Sequence, residues 1–161
     1  AVDGWVGPFE APRDFRFADR DVEVKALTRD AKTLRISSLG QLEEAGVPIF
    51  LCRVVLESST AAQDGAFSVH DLVQSVQRKC EAEASVLIAL KQRLWAAGYV
   101  DLDEYRSIHF VSRGMEYFAC TDDFPKLTAS SVPAGVVSAA YDINLMAIKA
   151  REVQSWSVGS S

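Results

Sequence analysis

Asp14, Glu23 and Lys25 are the residues of this chain whose types and spacing most directly suggest chemistry. One or two carboxylates supply the hard oxygen ligands that suit Mg²⁺, an ion that keeps several waters and bridges to substrate phosphates. An ion held that way lowers the pKa of a water and offsets charge on a phosphodiester, while a nearby lysine orients the water or stabilises developing charge. The same residues also read as the wet face of a hairpin, a cross-strand charge set contributing only roughly a few tenths of a kcal/mol. Spacing alone leaves both readings open.

The elements that must position these residues are two short strands. Phe15 and Phe17 alternate with Arg16, and Val22, Val24 and Ala26 alternate with Glu23 and Lys25, the period of two expected of half-buried strands. Antiparallel pairing of 14–17 with 22–26 around a tight Asp19-Arg20 turn sets Phe15 opposite Val24, Arg16 opposite Glu23 and Asp14 opposite Lys25. That register collects Phe15, Phe17, Val22 and Val24 on one face, whereas a slip of one residue mixes apolar and polar sets. It leaves Asp14 diagonal to Glu23, about 7–8 Å between backbones.

Ahead of the hairpin, Gly4, Gly7, Pro8 and Pro12 favour loop over helix. TLRIS (33–37) reads as a third short strand. SLGQ (38–41) fits a capping box, with Ser38 as N-cap and Gln41 reaching back to it, opening a short helix QLEEA that Gly46 and Pro48 stop. PIFLCRVVLES (48–58) is the expected centre of a sheet covered on both faces. After a polar loop at 59–66, Ser68 and Asp71 start a long helical stretch carrying Leu72, Val76, Cys80, Leu87, Leu90 and Leu94, with a break near 80–84 and an end at Gly98. SIHFVSRGMEYFAC (107–120) reads as a hairpin turning near Arg113-Gly114. Residues 122–135 form a loop, 136–148 a final strand, and the tail beyond Arg151 is expected to fray.

With 161 residues, 48% apolar and 24% charged, and no apolar run approaching ~18 residues, the chain belongs to the globular class and does not read as a membrane span. The opening AVDGWVGPFEAPRD has no signal-peptide pattern and no initiator Met, and is expected to be the start of an N-terminally truncated fragment. Cys52, Cys80 and Cys120, odd in number and widely spaced, suit a reducing cytoplasm rather than a disulfide framework or zinc site. The net charge of -5 excludes a strongly basic nucleic-acid binder. Residues 13–35 nevertheless carry seven basic side chains (Arg13, Arg16, Arg20, Lys25, Arg29, Lys32, Arg35) against five acidic ones (Asp14, Asp19, Asp21, Glu23, Asp30), a local +2 where a phosphate-bearing substrate is least repelled.

Asp14 with Glu23-Val24-Lys25 matches the PD-(D/E)XK pattern, with Arg13 where Pro is expected and Pro12 one step earlier. The wider text GWVGP, PRDF, VEVKA, LRISSLGQLEEAG, PIFLCRVVL, LWAAGY, DDFPKLTASSVPAGV and YDINL resembles the C-terminal part of a bacterial family of PD-(D/E)XK type (DUF4420) over most of residues 4–146. The resemblance implies an α+β, restriction-endonuclease-like fold: a mixed β-sheet core with flanking helices and a C-terminal hairpin or strand extension. It implies a partial nuclease-like core over 1–60, with the helical segment and last strands of 66–161 packed on the same unit. It further implies Asp14 and Glu23 as ligands of Mg²⁺ or Mn²⁺, Lys25 as catalytic lysine, DNA as substrate, and a restriction or phage-defence setting. Helicase or methyltransferase subunits, or a second copy, are the partners it suggests. The alternative is an inactive nuclease fold kept as an interaction scaffold.

Gln41 stands where related nucleases often place an active-site polar group, although its capping role is a sufficient explanation. His70 and His109 read as structural or exposed, with no nucleophile motif beside them. Trp95, with Leu94 and Tyr99, reads as a core cluster at a helix end, and VPAGV (132–136) as a turn.

Overall fold

Residues 2–153 are described by a computed structural model. Two 3-10 turns, Val2–Gly4 and Gly7–Phe9, lead to strand β1 (Phe15–Arg16), followed by β2 (Asp21–Thr28) and β3 (Thr33–Ile36). A 3-10 turn, Leu39–Leu42, precedes the long strand β4 (Ile49–Ser59), and β5 (Phe67–Ser68) runs straight into helix α1 (Val69–Cys80). Helices α2 (Ala84–Ala96) and α3 (Glu104–Ser107) follow, then β6 (His109–Ala119), β7 (Tyr141–Asn144), α4 (Leu145–Ile148) and β8 (Glu152–Val153). Among the described residues the main sheet runs β1-β2-β4-β6-β5, with β8 also on β6, and β3 pairs β7 in a separate two-stranded sheet. The fold is therefore mixed α+β with a mixed central sheet, as a restriction-endonuclease-like architecture requires.

β4 sits where its continuous apolar run requires, parallel to β2 on one side and antiparallel to β6 on the other. Aligned residues share a face, so Glu23, Leu51 and Phe118 form one cross-strand row, and Lys25, Arg53 and Glu116 the next. Leu51 and Phe118 belong to a core closed by Leu34 and Ile36 of β3, Leu42, Ile143 of β7, Leu145 and Ile148. Segments 29–48 and 120–148 thus cover the face that carries Glu23.

The start of α1 is as expected: Ser68 Oγ accepts from Asp71 N–H at 3.1 Å and Asp71 accepts from Ser68 N–H at 2.8 Å, a reciprocal cap. The break near 80–84 and the stop at Gly98, whose φ is +78°, also occur.

Several expectations change. The hairpin register is Phe15 with Val22 and Arg16 with Asp21, two residues from the expected one, because the turn falls at Ala18-Asp19 and Phe17 N–H donates to Arg20 O at 2.8 Å. Pairing across the sheet decides it: Asp21 N–H donates to Pro48 O at 2.9 Å and Asp21 aligns with Ile49, which draws Asp21 into β2. Residues 107–120 are no hairpin; β6 runs through with a bulge, Gly114 at φ +117° supplying the extra residue between the Leu56–Ser112 and Val54–Met115 pairs. The helix at QLEEA is only the 3-10 turn Leu39–Leu42, and Gln41 Oε1 accepts from Ser37 N–H at 2.6 Å rather than from Ser38. The strand expected over 136–148 spans only Tyr141–Asn144, after which Asn144 caps α4 through a bond from Met146 N–H at 2.9 Å.

Trp95 is 76% exposed and lies outside the core; Tyr99 stacks on Tyr105 with centroids 5.3 Å apart instead. VPAGV does form a turn, closed by Val136 N–H on Pro133 O. Beyond Arg151, Glu152–Val153 pairs with β6, and the remainder of the tail lies outside the described residues.

Phe118 is 1% exposed in the row that carries Glu23. Phe118→Ala is expected to destabilise the protein by about 3–5 kcal/mol, read as a lowered urea midpoint; a loss below about 1 kcal/mol would show that the row is not the core.

Candidate functional site

The two-residue change of register preserves face parity, so Phe15 and Phe17 still share a side, with parallel rings 6.2 Å apart. It also brings Asp14 level with Glu23 instead of Lys25. Asp14 lies just before β1, and its Oδ2 accepts from Val24 N–H at 2.8 Å, so the carboxylate occupies a ladder position that a longer β1 would fill with backbone. Its main-chain carbonyl turns the other way and accepts from Val6 N–H at 2.9 Å and Gly7 N–H at 3.0 Å.

Glu23 is 3% exposed, and its Oε1 lies 2.7 Å from Lys25 Nζ. Burial pushes its carboxyl up to about 7; hydrogen bonding to Lys25 opposes the rise, and the charge of Asp14 adds to it. The sheet thus brings Asp14, Glu23 and Lys25 together. Gln41 makes no hydrogen bond to any of the three among the described residues; its side-chain acceptor is committed to Ser37.

The donor set fits a hard divalent cation. Two carboxylates interact at a place where one ammonium offsets them, and Gly7 cradles the first, since a Cβ there would come within 2.9 Å of Asp14 Oδ1. Among the described residues no three His, Cys, Asp or Glu side chains are gathered for an ion. Asp14 and Glu23 are the two carboxylates that could share such an ion, with its other positions left to water.

One part of the neighbourhood was not foreseen. Asp21 is 1% exposed, with Arg13 Nε 3.0 Å from Oδ2 and Arg16 Nε 3.4 Å from Oδ1. Residues 21, 23 and 25 share one parity, and that spacing was the available signal: a strand begun at Asp21 puts a third charge on the inward face. Arg20 pairs with Asp19 and Arg35 with Asp142, so four of the segment's arginines are engaged in ion pairs.

The other candidates have structural partners. His70 Nδ1 lies 3.2 Å from Asp101 Oδ1, and His109 Nδ1 is 3.1 Å from Ser107 O. Burial pushes the Cys52 thiol up to about 11 and that of Cys120 up to about 12, so neither is a nucleophile near neutrality. No helix among the described residues is long and apolar enough to cross a membrane.

A family model described as "Putative PD-(D/E)XK family member, (DUF4420)" matches residues 1–146. No curated protein and no solved structure matches the chain.

The raised Glu23 carboxyl has a measurable consequence. Between its unfolded value of 4.5 and its folded value of about 7, the folded protein holds a proton that the unfolded chain has released, so stability falls as pH rises through that window. The expected loss is on the order of 3 kcal/mol, and Glu23→Gln removes it. Carboxyl ¹³C titration should give a midpoint near 7, together with a pH slope of urea unfolding that vanishes in the variant; a midpoint near 4.5 contradicts the burial argument.

Proposed function

We propose, for a chain that belongs to the PD-(D/E)XK family of the DUF4420 type, that it hydrolyses DNA phosphodiesters at Asp14, Glu23 and Lys25 with a divalent cation, Mg²⁺ or Mn²⁺. The observation that carries this reading is the meeting of the three side chains on one hairpin, with Asp14 bonded to Val24 N–H and Glu23 paired to Lys25. Asp14 and Glu23 would hold the cation, which when bound lowers the pKa of a water and offsets the charge of the phosphate.

The chain's own part follows from burial and charge. Glu23, raised by burial and by the charge of Asp14, gains most from a cation that relieves both. The Lys25 ammonium, engaged with Glu23 at 2.7 Å, exchanges to a phosphate oxygen when substrate arrives. There its donors meet the charge that builds as the water oxygen bonds to phosphorus. The P–O bond to the leaving strand breaks, the water loses a proton, and the leaving oxygen gains one.

We place this activity in a bacterial restriction or phage-defence setting, with helicase or methyltransferase subunits or a second copy as partners. A second reading, a nuclease fold kept as an interaction scaffold, is favoured by one observation: Arg13, Arg16 and Arg20 are held in internal ion pairs, which leaves little basic field for DNA.

In the full-length protein, Asp14→Ala and Lys25→Ala are each expected to lower Mg²⁺-dependent DNA cleavage by on the order of 10²–10⁴-fold while the circular dichroism spectrum is unchanged. Cleavage that survives both substitutions removes the nuclease assignment. Wild-type protein that neither cleaves nor binds Mn²⁺ saturably identifies the scaffold.

A further inference from the structure

We infer that Gly7 is a positioning residue for the Asp14 carboxylate, an inference that rests on the site proposed above. The φ of Gly7 is outside the left-handed region, where Gly46, Gly65, Gly98, Gly114 and Gly135 lie. Position 7 therefore needs the space of a missing Cβ rather than glycine's backbone freedom. A Cβ built there would stand 2.9 Å from Asp14 Oδ1 and 3.2 Å from Asp14 Cα, closer to the oxygen than real Cβ contacts come.

The carboxylate has nowhere to retreat without losing its other bond. Oδ2 is held by Val24 N–H at 2.8 Å, and the main-chain carbonyl of the same residue by Val6 and Gly7 N–H at 2.9 and 3.0 Å. The turn that carries Gly7 is fixed from outside as well. Arg93 of α2 donates Nε–H to Trp5 O at 2.9 Å and lies over the Phe9 ring at 5.5 Å. Asp14 is thus wedged between the β2 backbone and a turn tied to α2, and the missing Cβ of Gly7 leaves the room that Oδ1 occupies.

Gly4 provides the contrast. A Cβ at Gly4 would meet Arg16 O at 2.8 Å and the Phe17 ring at 3.0 Å, straining the same hairpin without touching the Asp14 carboxylate. Gly7→Ala and Gly4→Ala therefore separate positioning of the carboxylate from stability of the hairpin.

The test uses the full-length protein and two readouts that need no catalysis. In metal-free protein, Val24 amide exchange should quicken about tenfold or more in Gly7→Ala, as in Asp14→Ala, while amides of the β2–β4 ladder keep their protection. By calorimetry, Mn²⁺ affinity should weaken about tenfold or more in Gly7→Ala, and Gly4→Ala should keep the wild-type affinity despite a lower Tm. Wild-type Val24 exchange in Gly7→Ala, or equal loss of Mn²⁺ affinity in both glycine variants, overturns the inference. If wild-type protein shows no Asp14-dependent Mn²⁺ binding, the proposed site falls while the Val24 readout still decides the role of Gly7. Should Gly7→Ala not fold, Asp14→Ala/Gly7→Ala is expected to regain folding because Oδ1 is gone; continued failure there also overturns the inference.

Discussion

The parallel ladder between β2 and β4, aligned from Asp21–Ile49 to Thr28–Leu56, is the constraint on which the rest of the structure depends. Parallel neighbours cannot be joined by a tight turn, so the chain from residue 29 to 48 has to cross over before it re-enters the sheet. The crossover carries Leu34, Ile36, Leu39 and Leu42, all buried, and it packs over the row that contains Glu23, Leu51 and Phe118. One topological requirement thereby closes the core and takes water away from a carboxylate. The raised Glu23 carboxyl is the electrostatic counterpart of a connection that had to go over the sheet.

Around Glu23 the charges are divided between two jobs. Asp21 lies further into the sheet with Arg13 and Arg16, which offset its burial and anchor the start of β2. Asp14, Glu23 and Lys25 set two carboxyl groups beside one ammonium, and burial pushes one of the two, Glu23, toward its neutral form. The first set holds the hairpin against the sheet. The second lies beside it, with the Asp14 carboxylate held on β2 by the hydrogen bond from Val24 N–H.

Much of this was legible in the sequence. The apolar run of β4, the Ser68–Asp71 cap and the parity of Asp14, Glu23 and Lys25 are local signals, and the structure obeys each. What was not legible came from contacts distant in sequence. The hairpin register moved by two because Asp21 bonds to Pro48, an arrangement no turn rule for residues 17–22 contains. Likewise, QLEEA stayed a 3-10 turn where Leu39 and Leu42 both enter the core, and Trp95 is exposed although it reads with Leu94 and Tyr99 as a core cluster at a helix end. The roles of Gly4 and Gly7 were hidden for a different reason: glycine chosen for closeness and glycine chosen for flexibility look the same in one sequence.

The bulge of β6 has a consequence for how the two halves of the chain share one strand. Val111 and Phe118 are seven residues apart, an odd number that would put them on opposite sides of a regular strand, yet both are buried on the face of Leu51 and Glu57. The extra residue at Gly114 inverts the phase of the alternation midway, so residues 115–119 serve the core over Glu23 while 109–112 present the right side to β5 and the start of α1. Gly114 is in effect a half-turn coupling between two lengths of strand. Removing one residue there would leave the lower half paired but facing the wrong way, and the helices that depart from it would be carried to the other side of the sheet.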